Sequence, residues 1–345
     1  MKILLANNTT IPVHAYGGTE RVIWWLGKAL VQMGHEVVYL VKKGSTCPFA
    51  EVLSLDDKKP LAQQIPDSVD VAHFHFEVRE PLDRPVLFTV HGNSNEAKTF
   101  HPNTVWVSRN HAYRHGGSAF VHNGIDPDDY GTPMLDNRRQ YFHFLANAAW
   151  RVKNVRGAID LATQADERLH VIGGSRVNFR MGLRITISPN VRFHGMLGGD
   201  GKNAIIQASK GLVFPVLWHE PFGLAIVESL FFGCPVFGTP YGSLPELLGS
   251  NAGSANRQWS GWVEAVHSEF GFLSNKKAEI VEAIREADQY DRRRCHEYAV
   301  ANFSAQRMAQ AYLHYYEKVA NGETLHAEPI VFEPEANQPK FLPLS

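Results

Sequence analysis

One stretch of the chain decides the fold, residues Val213–Leu248, which read VFPVLWHEPFGLAIVESLFFGCPVFGTPYGSLPELL. The apolar run from Gly211 to Leu217 predicts a buried strand. The helical spacing of apolar residues over Phe222–Phe232 predicts a helix, and Gly233 stands where such a helix ends. Cys234–Gly238 predicts another short buried strand. Strand, helix and strand in this order form the crossover unit of a parallel α/β sheet.

Two glutamates in this stretch, Glu220 and Glu228, are separated by seven residues. Between them Phe222 precedes a helix start at which Gly223 and Leu224 present free backbone N–H groups, and such an end binds anions. A carboxylate accepts two hydrogen bonds from a vicinal diol, which sugars and riboses carry. Glu220 could be merely solvated, but Glu228 lies among apolar residues, where a glutamate without a role is costly. The pattern therefore indicates a nucleotide-sugar site.

The same stretch resembles the signature of retaining glycosyltransferases of family 4, which have the GT-B fold. The family's form is close to E-P-F-G-L-x-x-x-E, followed by G-x-P-V-V and G-G-x-P-E. The matching residues are Glu220-Pro221-Phe222-Gly223-Leu224, Glu228, Gly233, Pro235-Val236 and Gly242-Ser243-Leu244-Pro245-Glu246. The resemblance implies two Rossmann-like α/β domains facing a cleft. It also implies that Glu220 holds hydroxyls of the donor sugar and that Glu228 holds the ribose diol.

Composition narrows the class of protein. A chain of 345 residues allows two domains, and a formal net charge of −1 argues against a dedicated nucleic-acid binder. The three cysteines, Cys47, Cys234 and Cys295, are far apart and fit no metal spacing. The N-terminal MKILLANN lacks a signal peptide's apolar stretch, and no window is apolar enough to span a membrane. We expect a cytoplasmic protein, with peripheral membrane contact left open for a membrane-embedded acceptor.

Two consecutive α/β alternations predict two Rossmann-like domains, over residues 1–130 and 138–303, and 321–345 are expected to form an extended tail. The resemblance implies that the N-terminal domain is the acceptor side, completed by a returning helix at 304–320, and that the C-terminal domain is the donor side. The predicted strands are 2–6, 37–41, 69–76, 86–90, 104–108, 120–122, 141–146, 169–172, 191–193, 211–217 and 234–238. The further predicted helices are 19–33, 155–165, 203–208 and 278–287.

In the first half, the pair Gly17 and Gly18 opens a helix after the first strand, and two glycines there allow a phosphate or sugar close to the backbone. The pair resembles the family's glycine-rich first loop. His91 ends a strand, and Phe88–Gly92 resembles the family's T-x-H-[DG] segment, whose histidine lies near the donor sugar. His73 and His75 alternate on another strand. The two histidines could together bind a metal ion. The favoured interpretation is one core histidine with its hydrogen bonds satisfied and one histidine at the cleft edge.

In the second half, Lys153 follows a strand and is a suitable phosphate partner near a helix start. Lys153-Asn154 matches the family's G-R-x-x-x-x-K-[GN] segment, but Ala148 stands where that segment has arginine. Either Arg151 substitutes for that arginine, or diphosphate binding relies on Lys153 and helix ends. Gly173 follows another strand and resembles the family's loops around the nucleotide.

The resemblance implies a retaining, hexosyltransferase-type enzyme, which we expect to be metal-independent and to need no separate cofactor. The donor would be a nucleoside-diphosphate sugar of the UDP or GDP type, and the acceptor a hydroxyl of a sugar, glycan or lipid-linked molecule. Two alternatives stay open. One is a GT-B nucleotide-sugar epimerase, and the other is a non-catalytic nucleotide-sugar-binding protein, which Ala148 would explain. A dehydrogenase is disfavoured because the chain lacks G-x-G-x-x-G.

Overall fold

The computed structural model describes residues 1–13, 17–179, 184–250, 265–334 and 339–345. The chain divides into two compact units. The first unit comprises Met1–Asp126 with Phe303–Gln338, and the second comprises Pro127–Asn302 with Pro339–Ser345. Within the described ranges, none of the helices is both long and apolar enough to cross a membrane.

The helices and strands alternate along most of the chain. In chain order the strands are β1 (Lys2–Ala6), β2 (Glu36–Lys42), β3 (Glu51–Leu55), β4 (Val71–Phe74), β5 (Val86–Val90), β6 (Lys98–Phe100), β7 (Thr104–Trp106), β8 (Tyr141–Leu145), β9 (Leu169–Ile172), β10 (Val177–Asn178), β11 (Arg184–Ile185), β12 (Val191–Phe193), β13 (Ser209–Phe214), β14 (Val236–Gly238), β15 (Val266–Ser268), β16 (Gly271–Leu273) and β17 (Ile330–Phe332). The helices are α1 (Gly18–Gln32), α2 (Arg109–Arg114), α3 (Val155–Gln164), α4 (Gly199–Gln207), α5 (Leu224–Phe231), α6 (Leu244–Leu247), α7 (Lys277–Arg285), α8 (Arg292–Phe303) and α9 (Ala305–Ala320).

The first unit is built on a six-stranded parallel sheet with the order β3-β2-β1-β4-β5-β7. β1 and β2 are nearly continuous apolar runs because both faces of a parallel sheet are covered. Helices α1 and α9 pack together on one face. On that face the hydroxyls of Tyr316 and Tyr312 reach His73 and Thr89, at 2.7 and 3.0 Å. The returning helix of the sequence prediction therefore belongs to the first unit.

The second unit is built on a seven-stranded sheet with the order β12-β9-β8-β13-β14-β16-β15. All neighbours are parallel except β15 and β16, which run antiparallel. Helix α5 packs on β13 and β14, and α3 packs on β8, β9 and β13. The loops after β8, β9 and β13 consequently lie at the carboxyl edge of one sheet, where ligands of such sheets bind.

Several elements differ from the sequence-based prediction. The expected strand at 120–122 is only an isolated bridge between Phe120 and Trp106. The tail after Gly322 contains β17, which pairs with β6 of the first unit. Its last residues bind the second unit, where the Leu342 N–H donates to the carbonyl of Leu217 at 2.8 Å. Long-range pairing therefore holds the tail, and local spacing does not reveal such pairing.

A fully buried histidine, His143, fastens the second sheet to helix α5. Its Nδ1 lies 2.7 Å from the hydroxyl of Ser209 on β13, and its Nε2 lies 2.9 Å from the hydroxyl of Ser229 on α5. Burial lowers the pKa of His143 to about 3, with a smaller contribution from the charge of Lys202. The folded unit consequently holds this ring neutral.

We expect acid to destabilise the protein through His143. The depressed pKa means that its contribution is complete above the unfolded value of 6.5 and is lost as the pH falls toward 3. The slope is about 1.4 kcal/mol per pH unit for one such group. Urea unfolding between about pH 7.5 and pH 5 measures it. His143→Gln should be less stable at neutral pH but show a shallower pH slope, and an equal slope in both proteins would contradict the account.

Candidate functional site

The loop between β13 and α5 positions Glu220. The loop returns against the segment after β14, because the N–H of Ser243 donates to the carbonyl of Glu220 at 3.0 Å. The hydroxyl of Ser243 donates to the carbonyl of Phe222 at 2.5 Å. Gly223 then takes a left-handed conformation with φ of 90°, and α5 begins at Leu224, two residues later than the apolar spacing predicts. Glu220 is thereby fixed next to the start of this helix.

The carboxylate of Glu220 is paired with Lys153. The Lys153 Nζ lies 2.6 Å from Oε2 of Glu220, and the indole Nε1 of Trp218 donates to the same oxygen at 2.8 Å. Glu220 is 5% exposed and Lys153 is 9% exposed. The ammonium also lies 5.0 Å from the ring of Trp218 and 5.5 Å from the ring of Phe214. A cation and an anion are therefore held side by side at the carboxyl end of β13.

A short turn over Arg151–Lys153 and the residue after it place the lysine. Asn154 has a left-handed φ of 57°, and its Oδ1 accepts a hydrogen bond from the N–H of Gly157, which caps α3. Its Nδ2 donates to the carbonyl of Pro215 at 2.9 Å. Asn154 therefore ties the lysine turn to the end of β13, which explains why Lys153-Asn154 occur together.

Close backbone contact makes Gly242 essential to the position of Glu220. Gly242 has φ of 70°, and a Cβ there would stand 2.2 Å from the nitrogen and 2.3 Å from the carbonyl oxygen of Glu220. We expect Gly242→Ala to displace Glu220 and to lower the free energy of unfolding by about 1–3 kcal/mol more than a matched control. Gly131→Ala is that control, since Gly131 has φ of 68° with open space around it. Equal unfolding midpoints in the two variants would show that the contact is unimportant.

The second glutamate, Glu228, is buried, and its carboxylate has two side-chain partners. The hydroxyl of Tyr130 donates to Oε1 of Glu228 at 2.6 Å, and the Lys202 Nζ lies 3.4 Å from the same oxygen. Glu228 is 2% exposed and Lys202 is 3% exposed. The Lys202 ammonium also stands 4.8 Å from the Tyr130 ring. Glu228 is thus a buried, paired charge in the interior of the unit.

The glycine after β9 is required by geometry. Gly173 has φ of 121°, and a Cβ there would meet the carbonyl oxygen of Ala146 at 2.0 Å. Its N–H donates to Gly195 and its carbonyl accepts from Ala148, both at 2.7 Å. The loops after β8, β9 and β12 therefore meet around Gly173. Ala148, which stands at the family's arginine position, is buried here and packs on Gly174.

Comparison with known protein families concerns the second unit. Residues 135–286 match the family model described as Glycosyl transferases group 1. The match covers less than half of the chain and lies within the second unit. The narrower assignment to family 4 stays a prediction. No curated protein sequence matches the chain.

This chain resembles solved structures over 93–94% of its length. It is similar to AviGT4, a glycosyltransferase involved in avilamycin A biosynthesis, with 20% identity, 94% of this chain and 99% of that chain covered, and a TM-score of 0.72. It is similar to sucrose-phosphate synthase from Thermosynechococcus elongatus, with 15% identity, 93% and 100% coverage, and a TM-score of 0.65. Anabaena HepE in complex with UDP-glucose has 16% identity, 93% and 100% coverage, and a TM-score of 0.58. The GT-B fold expected from the sequence is confirmed.

Arg151 of the second unit does not join the pair of Lys153 and Glu220 in any contact that the structure shows. Its side chain is exposed, and its guanidinium lies 4.9 Å from the ring of Phe341 in the C-terminal tail. A role for Arg151 in place of the missing arginine stays a prediction.

The remaining predicted residues belong to the first unit. Gly17 precedes α1, and its carbonyl accepts from the backbone N–H and the Nε of Arg21, at 3.4 and 3.2 Å, so Gly18 begins the helix. The Nε2 of His91 lies 2.9 Å from Nδ1 of His75. Burial lowers the pKa of His91 to about 4, so its ring is neutral near pH 7. A neutral ring donates one hydrogen bond and accepts another, as binding to a sugar hydroxyl requires.

Of the two histidines that alternate on β4 and after it, His73 is the satisfied core histidine. His73 is fully buried, and both ring nitrogens have hydroxyl partners at 2.7 Å, Tyr316 and Thr89. In the part of the chain that the structure describes, no group of three or more histidine, cysteine, aspartate or glutamate side chains is arranged to hold a metal ion.

The sequence prediction missed three residues that hold the two glutamates in the second unit. Trp218 supplies a hydrogen bond to Glu220 from two positions earlier, and an aromatic residue so close to the signature glutamate was a usable signal. Tyr130 and Lys202 reach Glu228 from distant segments. No spacing in the sequence connects those segments with α5.

Proposed function

We propose that this protein is a retaining glycosyltransferase that moves a sugar from a nucleoside-diphosphate sugar to an acceptor hydroxyl, without a metal ion or a separate cofactor. The observation that carries the proposal is the buried pair of Lys153 and Glu220 beside the N-terminus of α5. One site thereby presents a cation, a carboxylate and a helix start. These three groups suit a sugar diphosphate, because cations and helix N-termini favour phosphate and carboxylates bind sugar hydroxyls.

In this proposal the diphosphate binds at Lys153 and at the backbone N–H groups of Gly223 and Leu224. These groups stabilise the charge that develops on the leaving diphosphate, and fixed donors of this kind act without reorganising during the reaction. We assign Gly173 to the nucleotide side of the site, where it joins the loops after β8, β9 and β12. Anabaena HepE has been solved in complex with UDP-glucose, which makes a UDP-sugar the first donor to try.

We assign the hydroxyls of the donor sugar to Glu220 and the ribose diol to Glu228. Lys153 and Trp218 fix the Glu220 carboxylate, and Tyr130 and Lys202 fix that of Glu228. The acceptor hydroxyl attacks the anomeric carbon on the face from which the diphosphate leaves, and a phosphate oxygen takes its proton. The glycosidic bond forms as the bond to the diphosphate breaks, so the configuration is retained without a side-chain nucleophile.

Nuclear magnetic resonance of the reaction products tests this proposal. UDP-glucose, GDP-mannose, ADP-glucose and TDP-glucose are incubated with the protein, alone and with a panel of sugar and glycoside acceptors. The proposal expects a glycoside with the anomeric configuration of the donor. An inverted product would overturn the retaining mechanism. An epimerised sugar formed from donor alone would show an epimerase, and binding without turnover would show a non-catalytic protein.

A further inference from the structure

A pocket of about 460 Å³ lies in the first unit, between the β4–β5 connection and the sheet. Parallel strands are usually joined by a helix that covers the sheet. Residues 75–85 join β4 to β5, and this connection, described throughout, contains no helix. Beside β4 and β5 this connection therefore covers the sheet with irregular chain. The pocket occupies space that a crossover helix would fill.

The walls of this pocket are mostly apolar and several are aromatic. Phe74 and Phe88 stack at 5.6 Å on this face, and Phe76 meets Phe74 edge-on at 5.7 Å. The apolar lining residues are Phe76, Val78, Leu82, Val86, Phe88, Val90 and Phe100. Phe76, Val78, Leu82 and Phe88 are only partly buried although they pack on the core of the sheet. A cavity of this size with apolar walls is typical of small-molecule sites.

Several polar side chains also line the pocket. His75 and His91 line the pocket at the carboxyl ends of β4 and β5. His75 is 8% exposed, and its buried Nε2 has no hydrogen-bond partner among the described residues. A buried polar atom without a partner is costly, so a ligand hydroxyl at this end would be favoured. Lys98 and Glu77, paired at 2.6 Å, also line the pocket.

We infer that this pocket binds the apolar, ring-bearing part of the acceptor, with a hydroxyl of the acceptor at the His75 and His91 end. The identification of this ligand as the acceptor rests on the proposed function, whereas binding of such a ligand in the pocket does not. A simple sugar would leave the phenylalanine walls without partners. A ring system with a hydroxyl group matches both the walls and the imidazole end, so the acceptor class is an aromatic or polycyclic alcohol or its glycoside.

Binding of 2-naphthol to the full chain, measured by isothermal titration calorimetry without any donor, tests this inference. We expect saturable binding at one site. Leu82→Trp should weaken it at least roughly ten-fold, which corresponds to about 1.4 kcal/mol, because the indole fills the pocket. Leu61→Trp is the matched control, since Leu61 is partly buried against the same core but does not line the pocket. Thr99→Trp adds a ring from an exposed lining position and guards against misfolding of the first variant.

The outcomes separate this inference from the proposed function. Saturable binding that Leu82→Trp and Thr99→Trp weaken and Leu61→Trp preserves supports the pocket, whether or not nucleotides bind. Absence of saturable binding, or equal binding in all three variants, overturns it. Methyl glucoside serves as the second probe, and binding of it in preference to 2-naphthol would overturn the apolar acceptor class. If all three variants still bind nucleotide, the proposed function is unaffected by the result for the pocket.

Discussion

Glu220→Gln is expected to reduce sugar transfer roughly 100-fold or more, which is the effect of removing one preorganised charged contact from a reaction centre. The amide would present a donor or a weaker acceptor where Lys153 and Trp218 now meet a carboxylate. Removing one partner of a buried ion pair also costs about 3–5 kcal/mol of stability. Initial rates and thermal unfolding of the same preparations measure both effects. Transfer kept within a few-fold of the unmodified protein would contradict the assignment.

Two controls separate function from stability in this experiment. Glu282→Gln removes an exposed carboxylate paired with Arg285 in the same unit, and such pairs contribute about 1 kcal/mol or less. The double variant with Lys153→Met and Glu220→Leu replaces the whole buried pair, and such replacements are often neutral or stabilising. It should regain much of the lost stability while remaining inactive. Recovery of activity together with stability would mean that the pair is only structural.

Glu228→Ala is expected to lower the free energy of unfolding by about 3–5 kcal/mol, because it leaves Lys202 as a buried charge without its carboxylate. It should also abolish the rise in melting temperature caused by a bound nucleotide, if Glu228 holds the ribose diol. Tyr130→Phe is the matched control. It removes one hydrogen bond to the same oxygen, should cost about 1–3 kcal/mol and should keep the nucleotide response. A full nucleotide response in Glu228→Ala would refute the ribose assignment.

The sequence was sufficient to predict those features that are formed by residues close together in the chain. The apolar run of β13, the glycine at the start of α5 and the two glutamates lie within a short stretch, so their arrangement could be predicted. Lys153 was predictable because it follows a strand near a helix start and because Lys153-Asn154 resembles a family segment. Local patterns carry such features because each depends on residues that are neighbours in the chain.

Other parts of the molecule left no local signal. Helix α8 buries a narrow stripe of three residues spaced four apart, Cys295, Ala299 and Phe303, and charged or polar residues surround this stripe, so the sequence prediction missed the helix. β6 and β17 are short, and each needs a partner more than two hundred residues away, as Phe100 opposite Ile330 shows. The sequence already predicts no helix between the strands at 69–76 and 86–90, but only the folded sheet shows that a pocket lies there.

Thermal unfolding of the unmodified protein in the presence of UDP, GDP, ADP or TDP tests the central claim most directly. A ligand that binds only the folded state raises the melting temperature by mass action. The account predicts a saturable rise with one of these nucleotides, and a loss of that rise in Glu228→Ala. No rise with any of the four nucleotides would contradict a donor site at Lys153, Glu220 and the start of α5.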